Sequence, residues 1–216
     1  MQILAHRGYW NKEIPANSEQ ALYAALAHGY GFESDLRDYQ KRLVISHNMA
    51  DRDSPRADRI FSALELQKNR FCFAINIKAD GLIDALQDLL LRYHITNYFT
   101  FDMSLPQMIE YREAGLTYFS RQSEYEERPH LYEDAAGVWI DAFVEEGWIT
   151  PKLVEQHLSA RKRVCLVSPD LHRRPYLAFW SKLRDCFPNT DMLMLCTDHP
   201  DEARRYFCTE GGISHE

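Results

Sequence analysis

Ile3-Leu4-Ala5-His6, then Asn17-Ser18-Glu19-Gln20-Ala21-Leu22-Tyr23-Ala24-Ala25-Leu26-Ala27-His28-Gly29, then Gly31-Phe32-Glu33-Ser34-Asp35-Leu36 read as strand, helix and strand. The outer pieces are short apolar runs of strand length. In the middle piece Ala21, Leu22, Ala25 and Leu26 recur at helical spacing, Asn17-Ser18 supplies a cap and Gly29 a stop. Outward from this unit the pattern repeats. Apolar runs at 71–78, 98–102, 117–121, 138–143, 164–168 and 192–196 bring the strands to eight, and 43–46 adds a short one after a turn-like Lys41-Arg42. Helical patterns lie between them. They cover 82–93, then 105–114 between a Ser104 cap and Gly115, then the segment that Thr150-Pro151 opens through Leu153, Val154 and Leu158, then 175–187 and 200–207. Residues 124–134 are the weakest of the set, because Pro129 interrupts them, and the polar stretch 51–58 reads as a surface loop. Eight strand-then-helix units predict an α/β chain folded as a parallel eight-stranded (β/α)8 TIM barrel, with 1–216 as one domain. The rival is an open doubly wound sheet, which the lack of G-x-G-x-x-G after the first strand weakens.

Composition agrees with a globular chain able to bury a full core. Of 216 residues, 45% are hydrophobic and 26% charged, which excludes collagen-like, low-complexity and disordered classes. Lys and Arg number 25 against 32 Asp and Glu, a net charge of −7. Nucleic acid is a poor partner for such a chain, since phosphate neutralisation needs a basic face. The five cysteines, Cys72, Cys165, Cys186, Cys196 and Cys208, are odd in number and show no C-x-x-C spacing. Reduced thiols in a reducing compartment are expected. The N-terminus lacks the form of a signal peptide and no apolar run nears ~20 residues, so a cytoplasmic protein without a transmembrane segment is expected.

Residues two apart on a strand share a face. Glu33 and Asp35 therefore project together from the end of the second strand, and Asn76 and Lys78 from the end of the third. The first strand ends at His6-Arg7, and the 43–46 run delivers His47-Asn48. In a parallel barrel these strand ends converge on one mouth. Two carboxylates held close repel unless a cation lies between them, and oxygen-only ligands favour Mg²⁺ or Ca²⁺ over zinc. His6 and His47, framing that pair, suggest acid/base chemistry beside a metal. Lys78 on an apolar strand needs a purpose or a partner. Asp102, Arg121, Trp139, Asp141 and Ser168 are further strand-end candidates for the pocket, with barrel packing the alternative for Trp139.

The N-terminal block resembles the glycerophosphodiester phosphodiesterase family. That family ends its first strand in H-R-G, opens the next helix with P-E-N-T/S, carries E-x-D on its second strand and follows it with H-D. This chain has His6-Arg7-Gly8, Pro15-Ala16-Asn17-Ser18, Glu33-Ser34-Asp35 and His47-Asn48 in that order. The family's E-x-K on the third strand is matched by Asn76-Ile77-Lys78, and its closing T-D-x-P by Thr197-Asp198-His199-Pro200. The resemblance implies a TIM barrel that cleaves a small-molecule phosphodiester to glycerol phosphate and an alcohol. It also implies one divalent cation, Mg²⁺ or Ca²⁺, held by Glu33, Asp35 and Asn76. His6 and His47 would share the acid and base roles, with Arg7, Lys78 and Trp139 toward the substrate. Three acidic family positions are neutral here, at Ala16, Asn48 and Asn76, and only 28 residues separate His47 from Asn76. A smaller insertion implies a more open site, and the Asn76 change implies a weaker cation. Two rivals stay open: a weakened barrel that binds phosphate esters without turnover, and a Schiff-base aldolase using Lys78.

Overall fold

The computed structural model describes residues 1–187 and 190–208. In chain order the elements are β1 (Gln2–His6), α1 (Glu19–Ala27), β2 (Gly31–Tyr39), β3 (Arg42–Ile45), α2 (Ala57–Leu66), β4 (Phe73–Ile77), α3 (Ile83–Arg92), β5 (Tyr98–Phe101), α4 (Leu105–Glu113), β6 (Phe119–Gln122), β7 (Gly137–Ile140), α5 (Pro151–Ser159), β8 (Arg163–Val167), α6 (Leu177–Cys186), β9 (Leu193–Thr197) and α7 (Pro200–Cys208). A 3₁₀ turn, Pro169–His172, follows β8. The sheet runs β5-β4-β2-β1-β9-β8-β7-β6 with every neighbouring pair parallel. A single parallel bridge, Thr100 with Tyr118, joins the two outer strands and nearly closes the ring. The fold is a (β/α)8 barrel. β3 lies outside the ring and pairs antiparallel with the far end of β2.

Strand alternation divides the apolar residues into two layers. One set fills the barrel: Leu4, Ala74, Phe99, Phe101, Phe119, Trp139, Cys165, Val167, Met194 and Cys196. Phe99 stacks on Phe119 with centroids 3.7 Å apart, and Phe101 on Trp139 at 3.9 Å. The other set, including Phe32, Phe73, Ile75, Val164 and Leu195, packs outward against the helices. Cys72, Cys165 and Cys196 are buried free thiols and Cys186 is an exposed one, while the side chain of Cys208 lies outside the described residues. No described helix is long and apolar enough to cross a membrane.

Two segments depart from expectation. The loop expected at 51–58 holds through Arg56, but helix α2 follows it in a segment for which no helix was expected. Its N-cap is Arg56, which makes no side-chain cap hydrogen bond, so the usual start signal is missing. Its apolar face, Ala57, Ile60, Phe61 and Leu64, is nevertheless at helical spacing. Conversely, 124–134 form no helix. Pro129 has no N–H to donate and its ring clashes with the preceding turn. The outward side chains of β6 and its flank hold this segment instead. Tyr118 donates to Leu131 O at 2.8 Å, Ser120 to His130 O at 2.6 Å and Gln122 Nε2 to Glu127 O at 2.8 Å. Carbonyls that a helix would satisfy internally are satisfied by the barrel wall.

Candidate functional site

The eight barrel strands end at one mouth, and alternation decides which side chains stand there. β1 brings His6 beside Glu33 of β2, and Asp35 lies in register with Asn76 of β4. Lys78 follows two residues on, its N–H donating to Leu36 O at 3.0 Å.

The loop after β1 is shaped by Gly8. Its φ is +87°, and a Cβ there would lie 2.6 Å from the carbonyl carbon of Ala21, so only glycine lets the loop rest on α1. Arg7, at φ +56°, turns its N–H toward Glu33 Oε2 at 3.2 Å. Asn17, at φ +60°, donates its backbone N–H to Arg7 O and its Nδ2 to Asp35 Oδ2 at 2.7 Å. Ser34 fixes that amide by donating to its Oδ1 at 2.7 Å, while Ser18 caps α1. Left-handed non-glycine residues cost energy and gather where a site requires them.

His6 is gripped on both sides. Nδ1 donates to Asp198 Oδ1 at 2.6 Å, and Nε2 stands 3.8 Å from Glu33 Oε2. A carboxylate only accepts, so Nδ1 carries the proton and Nε2 is the nitrogen turned toward Glu33. Burial disfavours the imidazolium, but the Asp198 bond and the charges of Glu33 and Asp198 outweigh it and raise the His6 pKa. Burial, and after it the Asp35 charge, push the Glu33 carboxyl well above its ordinary range against the pull of His6, Arg7 and Lys78. Asp35 is fully buried, with Arg7 Nε at 3.2 Å and Lys78 Nζ at 3.4 Å. These ion pairs lack hydrogen-bond alignment: Asp35 Oδ1 and Asn76 Oδ1 are both buried without a hydrogen-bond partner among the described residues. Each such oxygen costs about 1–3 kcal/mol until something meets it.

Those two oxygens and Glu33 make an oxygen-only set suited to a hard cation. It holds two carboxylates and one amide. No cluster of three or more His, Cys, Asp or Glu side chains with metal-binding placement occurs among the described residues. Among other carboxylates near the strand ends, Asp102 pairs with Arg121 at 3.1 Å and Asp141 with His172 at 2.7 Å. Glu124 turns away to accept the N–H groups of Phe143, Val144 and Glu145.

The structure draws His6, Arg7, Glu33, Asp35, Asn76 and Lys78 into one cluster. His47 is exposed and donates Nδ1–H to Asn48 Oδ1 at 2.9 Å. It lines a neighbouring groove of about 460 Å³ that Arg7 and Asn17 share. Trp139 lies beneath the mouth, 4% exposed and stacked on Phe101. Ser168 faces the outer layer and accepts from Trp180 Nε1 at 2.8 Å. Sequence reasoning gave no role to four residues that now have one. Asp198 orients His6. Asp170 accepts from Thr197 Oγ1 at 2.9 Å and from Asp198 N–H at 2.7 Å, fixing the strand end that carries Asp198. Asn17 read as a cap and as part of the matched Pro15-Ala16-Asn17-Ser18 stretch, and His172 stood in a segment without pattern. The T-D-x-P stretch held the signal for Asp198; nothing in the chain's periodicity marked the others.

Neither a family model nor a curated protein matches the chain in sequence. Solved structures do match in fold. A glycerophosphodiester phosphodiesterase from Agrobacterium tumefaciens superimposes with a TM-score of 0.68 at 17% identity, over 95% of this chain and 97% of that one. One from Parabacteroides distasonis gives 0.66 at 14% identity, over 96% and 97%. A phosphodiesterase from Oleispira antarctica, solved in complex with the product sn-glycerol-3-phosphate, gives 0.67 at 14% identity over 97% of each chain. The likeness is one of fold.

Proposed function

We propose that the chain is a metal-dependent phosphodiesterase that hydrolyses a small glycerophosphodiester-like substrate to a phosphomonoester and an alcohol. The observation that carries this reading is His6, held between Asp198 and Glu33 beside Asp35 Oδ1 and Asn76 Oδ1, which have no hydrogen-bond partner among the described residues. A phosphodiester is an anion, and each cation at the mouth already faces a carboxylate: Arg7 and Lys78 face Asp35, and Arg121 faces Asp102. Additional positive charge is needed for an anion to enter. Glu33, Asp35 and Asn76 would hold one Mg²⁺ or Ca²⁺, which when bound supplies charge neutralisation at a phosphate oxygen. Arg7 and Lys78 orient the remaining phosphate oxygens. His6 handles a proton at Nε2 while Asp198 keeps Nδ1–H in place. His47, on the groove wall, takes the complementary proton role.

The deciding experiment screens glycerophosphodiesters with Mg²⁺, Ca²⁺ or EDTA and reads released phosphomonoester and cyclic phosphate. Metal-dependent release that His6→Ala abolishes is expected. The exposure of His47 and the two-carboxylate metal set favour one other reading, a barrel that binds phosphate esters without cleaving them. Saturable ester binding with no release under any metal would select that reading instead.

A further inference from the structure

The β5–β8 side of the mouth carries polar groups that the proposed chemistry does not use. His172, in the 3₁₀ turn after β8, donates Nε2–H to Asp141 Oδ1 at 2.7 Å. Its side chain is 27% exposed, and its Nδ1 has no hydrogen-bond partner among the described residues. Phe143 stands edge-on to that imidazole with centroids 5.6 Å apart, and the guanidinium of Arg121 lies 5.9 Å from the Phe143 centroid. Arg121 also joins Asp102 at 3.1 Å and pairs with Glu126. Asp102 lies 3.9 Å from Lys78, which lies 3.4 Å from Asp35. A continuous run of ion pairs thus connects this corner to the residues assigned to phosphate.

We propose that Arg121, Asp141, Phe143 and His172 form the subsite for the leaving alcohol, and that it selects a polyhydroxylated alcohol. This rests on the diesterase reading and names its substrate class. Asp141 accepts from Nε2–H of His172, so the neutral form of that imidazole presents Nδ1 as an acceptor. Arg121 has five N–H donors, of which Nε–H meets Glu126 and one on Nη1 meets Asp102. An acceptor and donors that each border the Phe143 ring match hydroxyl groups, each of which gives and takes a hydrogen bond. An aliphatic alcohol would leave both unpaired once water is displaced. The Phe143 ring that a quaternary ammonium alcohol would use already has the Arg121 guanidinium 5.9 Å from its centroid.

The test uses the full chain with Mg²⁺ and three diesters of sn-glycerol 3-phosphate, whose second alcohol is glycerol, choline or ethanol. Both Kd and kcat/KM are measured. The glyceryl diester should exceed the other two by about tenfold or more. His172→Ala should reduce that preference about tenfold, mainly through KM, and His172→Gln, which keeps an acceptor and donors, should restore part of it. Thermal unfolding checks each variant; should His172→Ala not fold, His172→Gln and Asp141→Asn carry the comparison. Equal kcat/KM on the three diesters, a preference for choline, or the same loss on every substrate in the variants would overturn the subsite and leave the diesterase reading standing. No binding and no cleavage of any of the three would overturn the diesterase reading and the subsite together.

Discussion

Asp198 and Asp141 each fix one imidazole by a short bond, His6 at 2.6 Å and His172 at 2.7 Å, from different sides of the mouth. An oriented ring presents one nitrogen in one tautomer, and losing the orienting carboxylate costs rate even where the geometry survives. Asp198→Asn should therefore lower kcat by at least about tenfold while leaving thermal unfolding nearly unchanged. Full activity in that variant would show that Nδ1 needs no carboxylate. Asn76 supports a second expectation. Its Oδ1 is buried without a partner, and the proposed cation loses one negative charge there. Asn76→Glu should lower the Mg²⁺ dissociation constant measured by calorimetry; an unchanged or higher constant would remove position 76 from the ligand set. Both residues show how far the site could be read in advance. Glu33, Asp35, Asn76 and Lys78 were legible because strand alternation alone puts them on inward positions. Asp170 and His172 were not, because their partners, at the ends of β9 and β7, come beside them only when neighbouring strands pair.

Among elements, the fifth β/α unit is where local propensity and tertiary structure diverge. The polar run after β6 looked like a broken helix, and Pro129 does prevent one. Nothing in its composition announced that Tyr118, Ser120 and Gln122 would take up its carbonyls. Regular units such as α4 and α5 were legible from their caps, Ser104 and Thr150, each of which accepts a backbone N–H three residues on. Glu124 sets the order of this irregular region. Burial acts to raise its pKa, but the N–H groups of Val144, Glu145 and Phe143 dominate and hold it down to about 2, against an ordinary value of 4.5. A folded-state pKa below the unfolded one means the carboxylate stabilises the fold above pH 4.5 and loses that contribution as pH falls toward 2. Glu124→Gln should lower the Tm at neutral pH, and the gap from wild type should shrink between pH 4.5 and 2.5. A gap independent of pH would assign the stabilisation to shape rather than charge.

For the molecule as a whole, the weak line is the seam between β5 and β6. Every other junction in the ring is a ladder of at least three paired residues, whereas this one has the Thr100–Tyr118 bridge alone. Closure must come from side chains. The Arg163 guanidinium sits 5.0 Å from the Phe119 centroid and 5.8 Å from that of Phe99, whose rings stack at 3.7 Å. Toward the mouth, Phe101 stacks on Trp139 and Arg121 reaches Asp102. Aromatic packing thus replaces the missing hydrogen bonds, which explains why the large rings crowd this side of the barrel. Phe119→Ala should cost about 3–5 kcal/mol, the usual range for a buried phenylalanine. Phe119→Leu keeps most of the volume but loses the stack, which should cost at least about 0.5–1.5 kcal/mol. Native-state hydrogen exchange locates the effect. In the wild type the Thr100 amide, which donates to Thr117 O across the seam, should exchange through an opening at least about tenfold more frequent than those of the β1 and β9 amides. Phe119→Leu should raise that opening further while the β1–β9 side moves less, because the rings it unstacks lie across the seam. Uniform loss of protection around the ring would mean that the barrel opens as one unit and that the seam is no weaker than its ladders.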